Sequence, residues 1–396
     1  MNITKNIFFK NFNNKKNFKL NNYLNNLRKN LKKLIENKEN NQIINSLGKK
    51  YQYSYSKKFI HELIKSNLTI RIIGIGGSIL GTMAIFSFLK KKISKNIVFI
   101  DNLNTQRKKE SKKKYLNIIV SKSGNTLETL VNFNYLIKKK DKNLFITEKK
   151  DSFLKKIALK MKSKIIEHNN FIGGRYSVLS EVGMLPASLA GLNEKKFKQF
   201  NDLVKNKFFL NQLILNCANI YSFLKEKKFN SIIINYDEMS QDFFYWYQQL
   251  VAESSGKKEK GIMPIISLMP KDNHSLLQLY LDGPKNNFFT FFSVDSKKQL
   301  RIKENNYFKF DNYLKNKTFN EILNAQRKAS ENIFQKKNIP LRSFQINNRN
   351  ENSLGELFTF FILETILLSD LMKVNAFNQP AVELIKDETK SILKRI

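Results

Sequence analysis

The stretch IIVSKSGNTLETL, residues 118–130, joins an apolar run to a cluster of hydroxyl-bearing residues and then to a helix-forming segment. The apolar run predicts a buried strand, and TLETL predicts a helix that begins directly after the cluster. Hydroxyls and free backbone N–H groups at a helix N-terminus are suited to binding an anion. The stretch therefore predicts a strand–loop–helix unit with an anion site in its loop.

Short apolar runs alternate with longer amphipathic runs on both sides of this stretch. The runs IRII, NIVFID and NLFITE predict strands, and SILGTMAIFSFLKKK and SFLKKIALKM predict helices between them. A second series begins near residue 205 and includes SIIINY and FFTFFSV. This alternation is typical of parallel sheets covered by helices on both faces. We predict an α/β protein with two similar domains, residues 51–200 and 201–350, an N-terminal helical extension in residues 1–50 and C-terminal helices in residues 351–396.

The charge balance is strongly basic, since 70 Lys and Arg residues against 33 acidic residues give a formal net charge of +37. Such a charge can attract nucleic acid. The lysines are spread along the whole chain, however, and do not alternate with aromatic residues in one segment. We therefore favour solvated lysine surfaces, expect no nucleic-acid partner, and expect the charge to attract anionic substrates.

Residues that bind metals are scarce. Cys217 is the single cysteine, and His61, His168 and His274 are far apart in the sequence. One cysteine excludes an internal disulfide, and no pair of histidines has the spacing of a metal site. We expect neither a metal nor a cofactor.

The most apolar run of the chain is LFTFFILETILLSDLM, residues 357–372. It is short for a membrane span and carries Glu364 and Asp370, so it predicts a buried helix. The N-terminal residues contain no continuous apolar segment of the kind found in signal peptides. We expect a cytoplasmic protein with no membrane partner.

A glycine-rich loop, GIGGSILG at residues 74–81, follows the strand IRII. The dinucleotide-binding fingerprint would need a third glycine where Ile79 stands, although Asp101 at the end of the next strand keeps nucleotide binding as a weaker alternative. A P-loop is excluded because no Gly-Lys-Ser/Thr follows. The loop predicts a tight turn in which Gly77 and Ser78 can meet an anion.

The hydroxyl cluster of residues 121–129 is richer than helix capping requires. One N-cap explains a single hydroxyl, whereas this loop carries four within nine residues, and Gly124 allows close approach of the backbone. A phosphate monoester suits such a set of short donors. The predicted phosphate-binding residues are Ser121, Lys122, Ser123, Thr126 and Thr129, with Gly77 and Ser78 nearby.

Six segments in order resemble the glucose-6-phosphate isomerase family. GIGGSILG and SKSGNTLET are similar to its phosphosugar-binding loops, and GGRYSVLSEVGMLPASLAG (173–191) is similar to its best-known signature. QQLVAESSGK (248–257), NHSLLQLYLDGP (273–284) and NAFNQPAVELIK (375–386) resemble three further segments. The chain departs from the commoner pattern at Gly124-Asn125 and at Ala376-Phe377-Asn378. The likeness runs from about residue 70 to the C-terminus, and the N-terminal part matches no motif.

The resemblance implies both a fold and an activity. The fold would be a pair of SIS domains, which are flavodoxin-like three-layer α/β/α units with parallel sheets, with C-terminal helices that complete the active site. The activity would be the reversible isomerisation of glucose 6-phosphate and fructose 6-phosphate, a step of glycolysis and gluconeogenesis, by ring opening and proton transfer through a cis-enediolate. The resemblance also implies a homodimer in which His274 reaches the partner's active site.

The resemblance assigns roles to individual residues. Glu253 would transfer the proton, and Arg175 would stabilise the enediolate. The alternative interpretation of Arg175 is a structural salt bridge with Glu181. Lys386 stands seven residues after Gln379, two helical turns, so both can face one site. The expected catalytic residues are Glu253, His274, Lys386 and Arg175, with Gln379 binding the substrate and Glu383 orienting Lys386.

Two other readings stay open. The chain could be a SIS-fold isomerase of another phosphosugar, such as mannose 6-phosphate. It could also be a non-catalytic module that binds sugar phosphates, but such a module has no need of Glu253, Arg175, His274 and Lys386 together.

Overall fold

Two five-stranded β-sheets form the centre of the molecule. The computed structural model describes residues 1–12, 20–66, 68–107, 113–295, 300–304, 307, 309 and 311–396. Its strands are β1 (Ile7–Lys10), β2 (Thr69–Ile73), β3 (Ile97–Ile100), β4 (Tyr115–Val120), β5 (Lys142–Thr147), β6 (Lys164–Glu167), β7 (Asn230–Asn235), β8 (Met263–Leu268), β9 (Asn287–Val294) and β10 (Leu341–Ile346).

Helices connect the strands and cover the sheets. They are α1 (Leu20–Glu36), α2 (Gln42–Ser46), α3 (Lys57–Lys65), α4 (Leu80–Phe88), α5 (Leu127–Leu136), α6 (Phe153–Lys160), α7 (Glu181–Leu189), α8 (Glu194–Phe197), α9 (Phe200–Leu203), α10 (Lys207–Lys225), α11 (Gln241–Ser255), α12 (Leu277–Asp282), α13 (Phe319–Lys336), α14 (Glu351–Met372) and α15 (Pro380–Leu393). Short 3₁₀ turns lie at Gly76–Ser78, Lys90–Lys92, Gly174–Leu179, Glu238–Ser240 and Lys271–His274.

The first sheet is parallel and has the order β3-β2-β4-β5-β6. This is the strand order of flavodoxin, with the reversal of order between β2 and β4. All six residues of β4 are buried, as expected for a central parallel strand with helices on both faces. The strand–helix alternation of the sequence and the flavodoxin-like fold are confirmed.

The second sheet has the order β1-β10-β9-β7-β8. Its four strands β7 to β10 are parallel, while β1 runs antiparallel along β10, with Ile7 opposite Ile346. The expected N-terminal helix is present as α1, but the sequence did not predict that β1 belongs to a sheet formed mainly by the second half of the chain. Residues 13–19 of the expected extension lie outside the described residues. The domain boundaries stay a prediction.

Helix α14 lies in the largest apolar core, and nearly all of its residues are buried. The run predicted as a buried helix is therefore confirmed. Its most deeply buried acidic residue, Glu364, is paired with the equally buried Arg342 of β10. Within the described residues no helix is long and apolar enough to cross a membrane.

Candidate active site

The turn after β2, at the carboxyl edge of the first sheet, lies beside α11, which leads into the amino end of β8 in the second sheet. There the turn after β2 touches the turn that begins at Gly174. A Cβ atom added to Gly77 would lie 2.3 Å from the carbonyl carbon of Gly174 and 2.5 Å from the backbone nitrogen of Arg175. Only glycine fits this contact, so the loop of residues 74–81 fixes the position of the Arg175 loop.

Arg175 is buried, with 2% of its surface exposed. Its guanidinium donates to Ser254 Oγ at 2.8 Å, to Ala376 O at 2.6 Å and to Asn378 O at 3.2 Å. One nitrogen also donates to Glu253 Oε2 and to Gln379 Oε1, each at 2.9 Å. This arginine therefore joins the end of α11 to the segment that leads into α15.

Glu181, the alternative partner of Arg175, is engaged elsewhere. Its carboxylate accepts from Tyr51 Oη at 3.0 Å and from the backbone N–H of Ser54 at 3.1 Å. The ion pair of Arg175 is instead with Glu253, so the alternative prediction of an Arg175–Glu181 salt bridge is wrong.

Glu253 lies two residues before the end of α11, and 28% of its side chain is exposed. One carboxylate oxygen accepts from Arg175 and the other from Gln249 Nε2 at 2.8 Å. Gln249 is four residues earlier, so one helical turn brings the amide and the carboxylate to the same face. Both contacts hold the carboxylate in place while leaving it open on one side.

That open side borders a cavity of about 840 Å³ between α11 and the start of α15. The cavity is large enough for a drug-sized or sugar-sized molecule. Lys257 also lines it and donates to the backbone carbonyls of Glu253 at 2.5 Å and Ser254 at 2.9 Å. Burial, and then the charge of Arg175, lowers the pKa of Lys257 to about 8. A carboxylate and an ammonium group thus border one opening, and the buried Arg175 guanidinium holds the carboxylate from behind.

The hydroxyl loop lies at the carboxyl end of β4, beside the glycine loop after β2. Ser121 Oγ and Thr126 Oγ1 are 2.9 Å apart, and the N–H of Gly124 donates to Ser121 Oγ at 3.1 Å. Thr126 occupies the N-cap of α5 without a side-chain capping bond. Ordinary helix capping therefore does not account for this cluster.

The other predicted phosphate-binding side chains have different environments. Ser123 is exposed, and its hydroxyl accepts from the N–H of Asn125 at 3.3 Å. Thr129 Oγ1 is buried and has no hydrogen-bond partner in the described structure. Lys122 donates to Asn170 O at 2.7 Å and lies 3.3 Å from Glu148, so it is already engaged.

The C-terminal residues divide into two groups. Gln379, the N-cap residue of α15, reaches Arg175 and lines the cavity. Lys386 is exposed farther along α15, where its ammonium group lies 2.6 Å from Glu383. The Lys386–Glu383 contact agrees with the expected orienting role of Glu383, but Lys386 is not among the residues that line the cavity.

His274 and Glu253 lie at opposite ends of the same strand. The end of α11 leads into the amino end of β8, where the N–H of Ile262 donates to Ser255 Oγ at 3.1 Å. His274 is exposed and ends the turn that follows Leu268 at the carboxyl end of β8. A six-residue strand spans about 20 Å. One chain therefore does not bring this histidine to the carboxylate.

Several residues around the pair were not predicted from the sequence. Ser254, Gln249 and Lys257 are close in sequence to Glu253, and the four-residue spacing of Gln249 was a usable signal. Tyr176 Oη, whose pKa is raised by burial, donates to Ala376 O at 3.0 Å. Trp246 Nε1 donates to the backbone oxygen of Arg175 at 3.0 Å.

The fold and the site together define a class of protein. Two doubly wound α/β units place an anion-suited loop of the first sheet beside a carboxylate–guanidinium pair at the edge of the second. A fixed carboxylate can move a proton, and a fixed cation can stabilise negative charge that develops nearby. The arrangement is suited to acid–base chemistry on a small anionic molecule.

The family is shown by comparison with known proteins. Residues 38–268 match the family model described as phosphoglucose isomerase, and the chain belongs to this family. It is 36% identical over 349 residues to a glucose-6-phosphate isomerase of Methanocaldococcus jannaschii, covering 82% of this chain and 83% of that protein. It is 31% identical over 366 residues to a glucose-6-phosphate isomerase of Mycoplasmopsis synoviae, covering 85% of each.

Solved structures agree with the fold. A hypothetical protein of Thermus thermophilus superposes with a TM-score of 0.81 at 22% identity, covering 95% of this chain and 96% of that one. A glucose-6-phosphate isomerase of Chlamydia trachomatis superposes with a TM-score of 0.68 at 18% identity, covering 85% of this chain and 72% of that one. The resemblance noted in the sequence is thereby confirmed for both family and fold.

Proposed function

We propose that this chain is an aldose–ketose isomerase that interconverts glucose 6-phosphate and fructose 6-phosphate through a cis-enediolate. The observation that carries the proposal is the Arg175–Glu253 ion pair, whose carboxylate lines a sugar-sized cavity. The family membership and the named relatives support it. The reaction is a step of glycolysis and, in reverse, of gluconeogenesis, which fits a cytoplasmic enzyme.

Glu253 is proposed to carry the proton. It would take the proton from C2 of the open-chain aldose and return it to C1, while the proton of the C2 hydroxyl moves to the C1 oxygen, which leaves the ketose and regenerates the carboxylate. Aldose and ketose are isomers, so no oxidant or reductant is needed. Arg175 would stabilise the negative oxygens of the enediolate, since its guanidinium is already held by five hydrogen bonds and needs little reorganisation.

The phosphate is proposed to bind at the hydroxyl loop. The Ser121–Thr126 pair, the unpartnered Thr129 hydroxyl and the N-terminus of α5 supply donors at the carboxyl edge of the first sheet. Gly77 and Ser78 of the neighbouring turn would complete the phosphate site. Lys122 would contribute its charge from a position that Glu148 already shares.

Ring opening is proposed to need a second copy of the chain. His274 lies one strand length from Glu253 of its own chain, so a homodimer that brings His274 to the partner's cavity would supply the missing acid–base group. Helix α15 supports such an assembly, because none of its residues is buried and Leu384 and Ile385 are each 71% exposed. Lys386 on the same helix would then act with His274, while Gln379 binds the sugar.

A direct assay tests the activity. Purified protein with fructose 6-phosphate and a readout specific for glucose 6-phosphate should show turnover in the presence of EDTA. Turnover that EDTA abolishes and a divalent ion restores would contradict the metal-free mechanism. Strong turnover only with another phosphosugar, such as mannose 6-phosphate, would support the alternative substrate.

The same assay tests Glu253. Glu253→Gln should lower kcat by about 10²–10⁴-fold, the usual contribution of general acid–base catalysis, with little change in KM. Glu62→Gln on the exposed face of α3 is the matched control and should keep wild-type kinetics. A Glu253→Gln enzyme within a few-fold of wild type would refute the assignment.

Mixing two inactive variants tests the dimer. A heterodimer of Glu253→Ala and His274→Ala chains collects both defects in one site and both intact residues in the other, if His274 acts across the interface. Unfolding and refolding the variants together should then restore activity. A mixture shown to contain heterodimer but without recovered activity would place the whole site within one chain.

A further inference from the structure

A second cavity, of about 510 Å³, lies at the carboxyl edge of the second sheet. Its walls come from the ends of three parallel strands: Tyr236–Met239 after β7, Ser293–Asp295 at the end of β9 and Asn347–Asn350 after β10. Doubly wound sheets bind ligands outside their carboxyl edge, where the strand order reverses, and here the order reverses at β7. The proposed isomerase site takes Glu253 from the amino edge of this sheet and His274 from the carboxyl end of β8, and none of its residues lines this cavity.

One buried hydroxyl in the cavity wall has no partner. Ser293 is 5% exposed, and its Oγ makes no hydrogen bond in the described part of the chain. A buried hydroxyl without a partner is destabilising because it has lost its hydrogen bonds to water without replacing them. A ligand that offers a hydroxyl group to Ser293 would remove this cost.

Amide groups form much of the uncharged polar lining. The five asparagines in the wall are Asn320, Asn324, Asn347, Asn348 and Asn350. An amide side chain both donates and accepts, as a sugar hydroxyl does. Leu323 and Tyr236 add apolar surface, which suits the carbon face of a sugar ring.

The charges in the wall are largely matched. Arg349 pairs with Asp237 and donates to the carbonyl of Phe88 at 3.2 Å, and Lys92 pairs with Glu351. Lys91 and two acidic residues, Glu238 and Asp295, stand at exposed positions. The wall therefore carries no surplus positive charge for a phosphate group, unlike the site around Arg175.

We propose that this cavity binds a neutral polyhydroxylated molecule of monosaccharide size, at a site separate from the phosphosugar site. The unpartnered Ser293 hydroxyl, the asparagine wall and the matched charges carry the inference, which does not depend on the isomerase activity.

The test is ¹⁹F NMR with the unphosphorylated probe 2-deoxy-2-fluoroglucose and the full-length protein. The probe signal should broaden saturably. Ser293→Ala and Asn324→Ala should each weaken binding by at least ~5-fold, the effect of losing about one hydrogen bond. Ser163→Ala and Asn286→Ala, at positions outside the cavity, are the matched controls and should bind as wild type does.

Competition with fructose 6-phosphate distinguishes this cavity from the phosphosugar site. Saturating fructose 6-phosphate should leave the probe bound, and Glu253→Gln protein should bind it as well as wild type does. Displacement by fructose 6-phosphate would place the probe in the phosphosugar site and overturn the inference. Equal binding by folded Ser293→Ala and Asn324→Ala proteins, or no saturable broadening below ~50 mM probe, would also overturn it.

Discussion

Replacing Gly77 by alanine should push apart the two loops that build the proposed active site. The new Cβ would lie 2.3 Å from the carbonyl carbon of Gly174, whereas ordinary contacts begin near 3.4 Å. One loop must therefore retreat by about 1 Å, and both neighbours are backbone atoms that no side-chain rotation can clear. Overpacking of this kind costs about 1–3 kcal/mol in stability. A displacement of 1 Å at a catalytic group can cost about 10²-fold in rate.

Two measurements test the Gly77→Ala prediction. The midpoint of denaturant unfolding should fall, and kcat/KM for fructose 6-phosphate should drop by about 10²-fold because Arg175 moves with the loop. Gly173→Ala is the matched control in the same loop, since its added Cβ meets only Tyr176 Cδ2 at 3.6 Å. If Gly77→Ala and Gly173→Ala proteins were equally stable and equally active, the contact between the two loops would not position Arg175.

Three further predictions concern other parts of the chain. Arg342→Met should destabilise the protein by about 3–5 kcal/mol in denaturant unfolding because it leaves the Glu364 charge buried alone. Adding Glu364→Leu should recover much of that lost stability. An unchanged unfolding midpoint in the Arg342→Met variant would contradict this prediction. Burial lowers the pKa of Lys198 to about 7, so the unfolded state binds more protons than the folded state between pH 7 and 10.5. The free energy of unfolding should therefore rise with pH across that window, and the rise should be smaller in Lys198→Met. The same dependence on pH in both proteins would refute the linkage. Ser121→Ala should raise KM for fructose 6-phosphate by roughly 2–10-fold with little change in kcat, while Ser163→Ala should not; an equal loss of affinity for unphosphorylated fructose would speak against phosphate binding at this loop.

The fold was predictable because its signals are local. Apolar runs such as the one before Ser121 are buried strands of parallel sheets, and their alternation with amphipathic runs marks each strand–helix unit. The pairing of β1 with β10 was not predictable in this way. A four-residue strand has little pattern of its own, and its partner lies near the other end of the chain.

The candidate site was predictable in part. Motif likeness singled out Arg175 and Glu253, which the structure joins in one ion pair. The four-residue spacing of Gln249 was a usable signal for its contact with Glu253, but the bond from Arg175 to Ser254 could not be predicted because it depends on how α11 packs against the Arg175 loop. Nor could sequence spacing show that His274 stands a strand length away from Glu253, since that separation follows from which end of β8 each residue adjoins.

The pairing of β1 with β10 also sets an order of events during synthesis. Residues 7–10 leave the ribosome well before the strand they pair with, which is translated roughly 20–70 s later at ordinary elongation rates. Until then the nascent chain must carry the largely apolar segment IFFK without its partner strand. The first sheet needs only residues 69–167 and can form while translation continues. The second sheet cannot be complete until its last strand, β10, has been translated. Chaperones that bind the segment around β1 during translation should therefore increase the yield of folded protein, even if the folded protein itself is stable.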